Sequence, residues 1–228
     1  MIKGVIFDFN GTLFWDSHMH VEAWREFSKR LRGYSFTDEE MQKYMFGRTN
    51  ADIIAYAMGK PQSEEFVDNF AYEKEAYYRD MCRKDHKNFK LADGVVEFLN
   101  YLKEQNIPMT IATMSEKDNV DFYIEGFNLA KWFDLKKIVY SDGTIAGKPA
   151  PDIFLIAAEK IGVAPKDCIV FEDAISGIES AKKAGIGKII AVTSLEDRSY
   201  YEKIDGISDI IPNFINILDI VSNKNAIV

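Results

Sequence analysis

Val5-Ile6-Phe7-Asp8-Phe9-Asn10-Gly11-Thr12-Leu13 runs from a short apolar stretch into an acid and then a glycine turn. The apolar part reads as a buried strand, with Asp8 closing it. A carboxylate at the carboxyl end of a parallel strand stands where open α/β sheets bind ligands. Gly11-Thr12 lets the backbone turn tightly and sets a hydroxyl beside the acid. Taken alone, the stretch also fits a turn that merely tolerates an aspartate. Three later segments decide between the two.

Working outward, residues 17–31 carry Met19, Ala23, Phe27 and Leu31 at helical spacing. Thr37 followed by Glu40 is a capping-box pattern opening a second helix. Residues 50–58 and 63–82 read as two more helices, and this part of the chain contains no convincing strand. The pattern changes near Phe89. Residues 93–105 read as a helix with Val96, Leu99 and Leu102 on one face, followed by a strand at 108–113, a helix at 115–122 and a strand at 137–140. A helix at 149–161 has Pro149 in its first turn, where proline fits best. A strand at 168–171, a helix at 175–184 ended by Gly185 and a strand at 188–192 complete the series. Strands alternating with helices predict an α/β fold, a Rossmann-like doubly wound parallel sheet covered on both faces. The predicted division is a core of residues 1–14 and 89–228, with residues 15–88 inserted as a small helical unit.

The chain has 228 residues, of which 47% are hydrophobic and 28% charged, enough apolar material for a real core. Its net charge of −8 argues against general affinity for nucleic acid or an anionic membrane. No apolar run approaches the ~18 residues that span a bilayer. Cys82 and Cys168 lie far apart in apolar settings, the usage of a reduced cytoplasmic protein, with a disulfide as the alternative. No leader-like segment precedes the first strand. A monomer is expected.

Four elements stand at the ends of successive predicted strands: Asp8 to Leu13, Thr113-Met114-Ser115, Gly147-Lys148-Pro149 and Glu172-Asp173. In a doubly wound sheet those ends gather on one rim. Three carboxylates so close are costly unless a cation holds them, and oxygen-only ligands suit Mg²⁺. Lys148 and the hydroxyls of Thr113 and Ser115 would then grip a phosphoryl group, and an ionised Asp could attack phosphorus. Each piece has a plainer alternative. Thr113 and Ser115 suit a helix cap, Lys148 a solvated turn, and Glu172-Asp173 a helix N-terminal acid cluster. The occurrence of all four in order, each after an apolar strand, favours the site.

The ordered set Asp8-x-Asn10-Gly11-Thr12, Thr113, Lys148-Pro149 and Glu172-Asp173 resembles the haloacid dehalogenase superfamily of phosphohydrolases. Gly147 to Phe154 and Phe171 to Ile178 are similar to its β-phosphoglucomutase and phosphoglycolate phosphatase branch, which carries a small helical cap after the first motif. The resemblance implies that Asp8 is the nucleophile of an aspartyl-phosphate. It implies Mg²⁺ held by Asp8, the main-chain carbonyl of Asn10 and Asp173, with Glu172 in support. Thr113 and Lys148 would bind the transferring oxygens, and the substrate would be a small phosphorylated metabolite. A sugar-phosphate mutase and a non-catalytic phosphometabolite sensor remain as alternatives. A halide-cleaving relative is disfavoured by the acid pair at 172–173.

Asn10 departs from that pattern, since most phosphatases of the family carry a second Asp there to protonate the leaving oxygen and later activate water. An amide has nearly the same shape but does not trade a proton near neutral pH. A slow phosphatase, or one whose leaving group needs no proton, such as that of an acyl or aryl phosphate, is the expectation; a phosphate-binding relative without turnover and a laboratory substitution are the alternatives. In the inserted unit, His20 follows the nucleophile turn and is a candidate for substrate contact or for replacing the missing acid, with helix packing as the alternative. Phe46-Gly47-Arg48-Thr49-Asn50 is similar to the loop by which such caps reach the site, so Gly47 and Arg48 join the substrate-binding candidates. Trp15, Trp24 and the tyrosines at 72, 77 and 78 read as hinge and packing residues.

Overall fold

A computed structural model describes residues 3–222. The chain opens with β1 (Gly4–Phe7) and passes into four helices: α1 (Ser17–Arg32), α2 (Asp38–Tyr44), α3 (Asn50–Met58) and α4 (Glu64–Lys84). Then follow α5 (Val95–Glu104), β2 (Met109–Glu116), α6 (Lys117–Gly126), β3 (Val139–Ser141), α7 (Asp152–Ile161), β4 (Cys168–Glu172), α8 (Ile175–Lys183) and β5 (Lys188–Val192). The described part ends with α9 (Arg198–Tyr201), β6 (Asp209–Ile211) and α10 (Ile217–Ser222).

The six strands form one sheet in the order β3-β2-β1-β4-β5-β6, and every pairing is parallel. This is the predicted Rossmann-like, doubly wound α/β architecture. β1 and β4 are buried throughout because helices cover both faces, which is why they read as continuous apolar runs without alternation. One face packs Phe7, Phe98, Phe171 and Phe214 together, and the other packs Ile6, Phe154, Val170 and Ile178. The order of strands reverses between β1 and β4, so the carboxyl ends of these two neighbours flank the crevice where such sheets take ligands.

The inserted helices have a core of their own, built on Trp24, Phe27, Phe36 and Ile54. Their starts follow the sequence closely. Thr37 and Glu40 close a reciprocal capping box, Thr49 and Asp52 close another, and Ser63 caps α4.

Differences from expectation fall at the ends of elements. β2 runs on to Glu116, so the helix expected from Ser115 begins at Lys117. The helix expected from Pro149 begins at Asp152, because residues 147–150 form a turn containing a cis Lys148–Pro149 peptide. β6, α9 and α10 are short, carry little periodicity and were not anticipated. Cys82 and Cys168 are both buried and free. Among the described residues, no helix is long and apolar enough to cross a membrane.

Candidate active site

Asp8 follows β1 directly, and its amide donates to the carbonyl of Phe171 at the end of β4 (3.0 Å). Glu172 and Asp173 end the neighbouring strand, so Asp8, Glu172 and Asp173 present carboxylate oxygens within 4.8 Å of one another. All three are buried. The turn after Asp8 is held tight by Gly11, at φ +77°. A Cβ there would meet Asp173 Oδ2 at 2.0 Å, so the motif glycine lets the two chain segments close over the acids. Thr12, the next residue, donates its hydroxyl to Asp173 Oδ1 (3.1 Å), and Tyr201 donates to the carbonyl of Asp173 (2.7 Å).

Lys148 reaches in from the turn before α7 and is 1% exposed, which removes the solvated-turn alternative. Its ammonium donates to Asp8 Oδ1 (2.6 Å) and Glu172 Oε2 (2.7 Å). The other oxygen of Glu172 accepts from the amides of Asp173 (3.2 Å) and Ala174 (3.0 Å). Both Glu172 oxygens are therefore occupied in orienting Lys148 and the start of α8.

Three carboxylates thus share a single ammonium. Burial first, and then repulsion from Glu172, pushes the Asp8 carboxyl up to about 8. Burial and the charges of Glu172 and Asp8 hold Asp173 well above the ordinary carboxylate range. An oxygen-only cluster short of positive charge fits a hard divalent cation, with Asp8 and Asp173 each offering the oxygen that Lys148 and Thr12 do not take.

Asn10 lies beside this cluster, and its amide is fixed at both ends. Nδ2 donates to Asp16 Oδ2 (2.6 Å) and Tyr123 OH (2.8 Å), while Oδ1 accepts from Ser115 Oγ (2.7 Å) and Thr113 Oγ1 (3.3 Å). Thr113 and Ser115 do not cap α6, whose cap residue is Glu116. They face Asn10.

Asp16 is fully buried. Burial opposes its charge, yet hydrogen bonds from His20, Tyr78 and Asn10 hold it below the ordinary carboxylate range. His20 stacks on Tyr78 with ring centroids 3.9 Å apart, and its Nδ1 lies 3.3 Å from Lys74 Nζ.

The inserted helices roof the cavity over Asp8. Gly47 sits at φ +72° against α8, where a Cβ would meet Ser176 Oγ at 2.2 Å, and Ser176 donates to the carbonyl of Phe46 (2.8 Å). This close approach brings Arg48 to the cavity, and its Nε is buried without a hydrogen-bond partner among the described residues. Lys74 and Glu75 form a buried pair (2.8 Å) on the same wall, joined to Asn50.

The structure therefore brings every residue expected at the site to one cavity, including His20, Gly47 and Arg48 from the insertion. Sequence reading missed Asp16, Lys74, Glu75 and Tyr123, and placed Tyr78 only in packing. One signal was available: Lys74-Glu75 is a charged pair lying within the inward stripe Ala71, Tyr78 and Cys82 of α4.

A doubly wound sheet with buried acids and a lysine at its switch point has the place and the polar groups of a ligand site of this fold class. A sequence profile of the haloacid dehalogenase-like hydrolases matches residues 5–192. The chain belongs to that family, within its phosphatase branch. It is 30% identical over 197 residues to a phosphorylated carbohydrates phosphatase of Thermotoga maritima, covering 86% of this chain and 88% of that one. It is 30% identical over 188 residues to fructose-1-phosphate phosphatase YqaB of Escherichia coli, covering 82% and 94%. A crystal structure of a haloacid dehalogenase (HAD) hydrolase, family IA, variant 3, from Entamoeba histolytica superimposes with a TM-score of 0.85 at 42% identity, covering 97% of this chain and 98% of that one.

Proposed function

We propose that this chain is a Mg²⁺-dependent phosphatase of a small phosphorylated metabolite, working through a phosphorylated Asp8. The observation that carries the reading is the position of Asp8. It is a buried carboxylate at the switch point, facing the ammonium of Lys148 and sharing its surroundings with Asp173. Relatives named for phosphorylated carbohydrates support a substrate of sugar size.

Asp8, Asp173 and the main-chain carbonyl of Asn10 would hold the cation, which when bound would offset the negative charge that gathers around phosphorus. Lys148 neutralises charge on the transferring oxygens from a position fixed by Glu172. Thr113 and Ser115 line the same cavity, with their hydroxyls donating to Asn10. The inserted helices act as a cap: the loop at Gly47 seats Arg48 over the site and excludes water while the phosphoryl group moves. Arg48, His20 and the Lys74–Glu75 wall contact the part of the substrate that departs.

The test is direct. After incubation with Mg²⁺ and a phosphate donor, mass spectrometry should find one phosphate per chain on Asp8, and Asp8→Asn should take none. A donor that turns over without labelling Asp8 would remove the reading.

A further inference from the structure

Among the described residues, and apart from Asp8 and Asp173, which are assigned to the cation, every group lining the cavity that could hand a proton to a departing oxygen is already engaged or is too weak an acid. Asn10 carries an amide whose two N–H bonds point to Asp16 and Tyr123, away from Ser115 and Thr113. Lys148 is held between Asp8 and Glu172. Lys74 is paired with Glu75, and His20 lies between Lys74 (3.3 Å, Nδ1) and Asp16 (3.3 Å, Nε2). Arg48 is a guanidinium, which does not give up its proton in a protein. An ordinary phosphate ester leaves an alkoxide and needs a proton as the P–O bond breaks. An acyl phosphate leaves a carboxylate, stable without one because its pKa is about 4.

We propose that the site is built for phosphoryl groups carried on a leaving group that departs as a stable anion, the acyl phosphate of a small polar acid in particular. This rests on the reading of Asp8 as nucleophile. In the first step an Asp8 oxygen bonds to phosphorus as the P–O(acyl) bond breaks. The electron pair of that bond stays on the acyl oxygen, which leaves as carboxylate, and no proton moves. In the second step water attacks phosphorus and the bond to Asp8 breaks, its electron pair returning to the Asp8 carboxylate. Both protons of the water leave on the phosphate.

Asp16 keeps the amide in place. Its carboxylate accepts from Asn10 Nδ2, Tyr78 OH and the amide of Gly11 (3.1 Å), so it has room for a donor at position 10 and none for a second anion. Asn10 and Asp16 are a matched pair, and the amide is the member that faces the reaction.

The experiment measures phosphorylation of Asp8 by quenched-flow mass spectrometry on the full chain with Mg²⁺. The donors are acetyl phosphate, p-nitrophenyl phosphate, phenyl phosphate and glycerol phosphate. The expected rates fall in that order, acetyl phosphate exceeding glycerol phosphate by at least the ~10²-fold that a general acid usually supplies. The exchange variant Asn10→Asp/Asp16→Asn should flatten the series by speeding the poorer donors. Comparable labelling by glycerol phosphate and acetyl phosphate in the natural chain overturns the inference while leaving Asp8 as nucleophile. Absence of label from all four overturns the nucleophile itself, and the inference with it.

Discussion

The ammonium of Lys148 lies 2.6 Å from Asp8 Oδ1 and 2.7 Å from Glu172 Oε2, joining the ends of β1 and β4 across the point where the sheet reverses its order. Burial works against a charged lysine, but the two carboxylates more than offset it and hold Lys148 well above the ordinary lysine range. The charge is therefore permanent at any pH the protein meets. A permanent cation aimed at Asp8, the proposed nucleophile, would serve phosphoryl transfer only from a fixed position, and Glu172 fixes it.

Replacing Lys148 by Met keeps the length and removes the charge. Phosphorylation of Asp8 should then fall by about 10²–10³, the usual cost of losing one placed electrostatic donor. Stability without metal should also fall by about 3–5 kcal/mol, because Asp8 and Glu172 are left buried without their partner. Single-turnover labelling and urea unfolding measure the two effects separately. Loss of stability with labelling unchanged would make Lys148 a purely structural residue.

Mg²⁺ should stabilise the fold more at high pH than at low pH. The Asp8 carboxyl titrates near 8 in the fold against 3.8 as an ordinary side chain, pushed up by burial and then by Glu172. A raised acid contributes stability below its ordinary value and loses it as pH rises toward the folded one. Without metal, the melting temperature should therefore decline as pH rises from about 4 to about 8 and level off above that. A cation that favours the ionised form reverses this, so the melting shift on adding Mg²⁺ should be larger at about pH 8.5 than at about pH 5.5. In Asp8→Asn the difference between the two pH values should shrink.

The loop carrying Arg48 is seated by a contact that admits no side chain. Gly47→Ala puts a methyl 2.2 Å from Ser176 Oγ and demands φ +72° of a residue that resists it. Strain of about 1–3 kcal/mol follows, relieved if the loop lifts and takes Arg48 with it. KM should rise at least tenfold, with a smaller change in kcat, since Asp8 and Lys148 are untouched. Ser176→Ala, which only removes the hydrogen bond to Phe46, should move KM in the same direction by less. Steady-state kinetics on any productive donor decides it, and an unchanged KM in both variants would detach the loop from substrate binding.

The fold and the gathering of the acids at one rim were legible because each rests on a local rule. Val5 to Asp8 and Cys168 to Asp173 are apolar runs that stop on acids, and in a parallel sheet covered on both faces the stop marks the rim. Thr37, Thr49 and Ser63 mark helix starts through bonds that span three residues. The surroundings of Asn10 were not legible, because they are assembled from Asp16, Tyr78, Thr113, Ser115 and Tyr123, which only the folded chain brings together. Tyr78 looked like packing because it does pack. That its hydroxyl meets a buried carboxylate is a fact of tertiary geometry, as is the hydrogen bond that Phe46 accepts from Ser176, 130 residues away in the chain.

Glu75 ties α3 and α4 to α6 and should make the fold sensitive to acid. It accepts from Lys74 (2.8 Å) and Asn50 (3.0 Å) within the insertion, and from Asn119 (2.7 Å) on α6. Burial alone would raise its carboxyl, but the charges of Lys74 and His20 and these hydrogen bonds bring it down to about 2, against an ordinary 4.5. A depressed acid contributes its stability above the ordinary value and loses it as pH falls toward the folded one. The protein should therefore lose a few kcal/mol, on the order of the 1.36 kcal/mol per pKa unit that linkage allows, between about pH 4.5 and pH 2. In Glu75→Gln the ammonium of Lys74 is left buried without its counter-charge, so the variant should be weaker at neutral pH and its stability flatter across the acid range. Urea unfolding at stepped pH reads both. If the natural chain and the variant decline in parallel, the acid sensitivity belongs to other carboxylates and Glu75 is no bolt between α4 and α6.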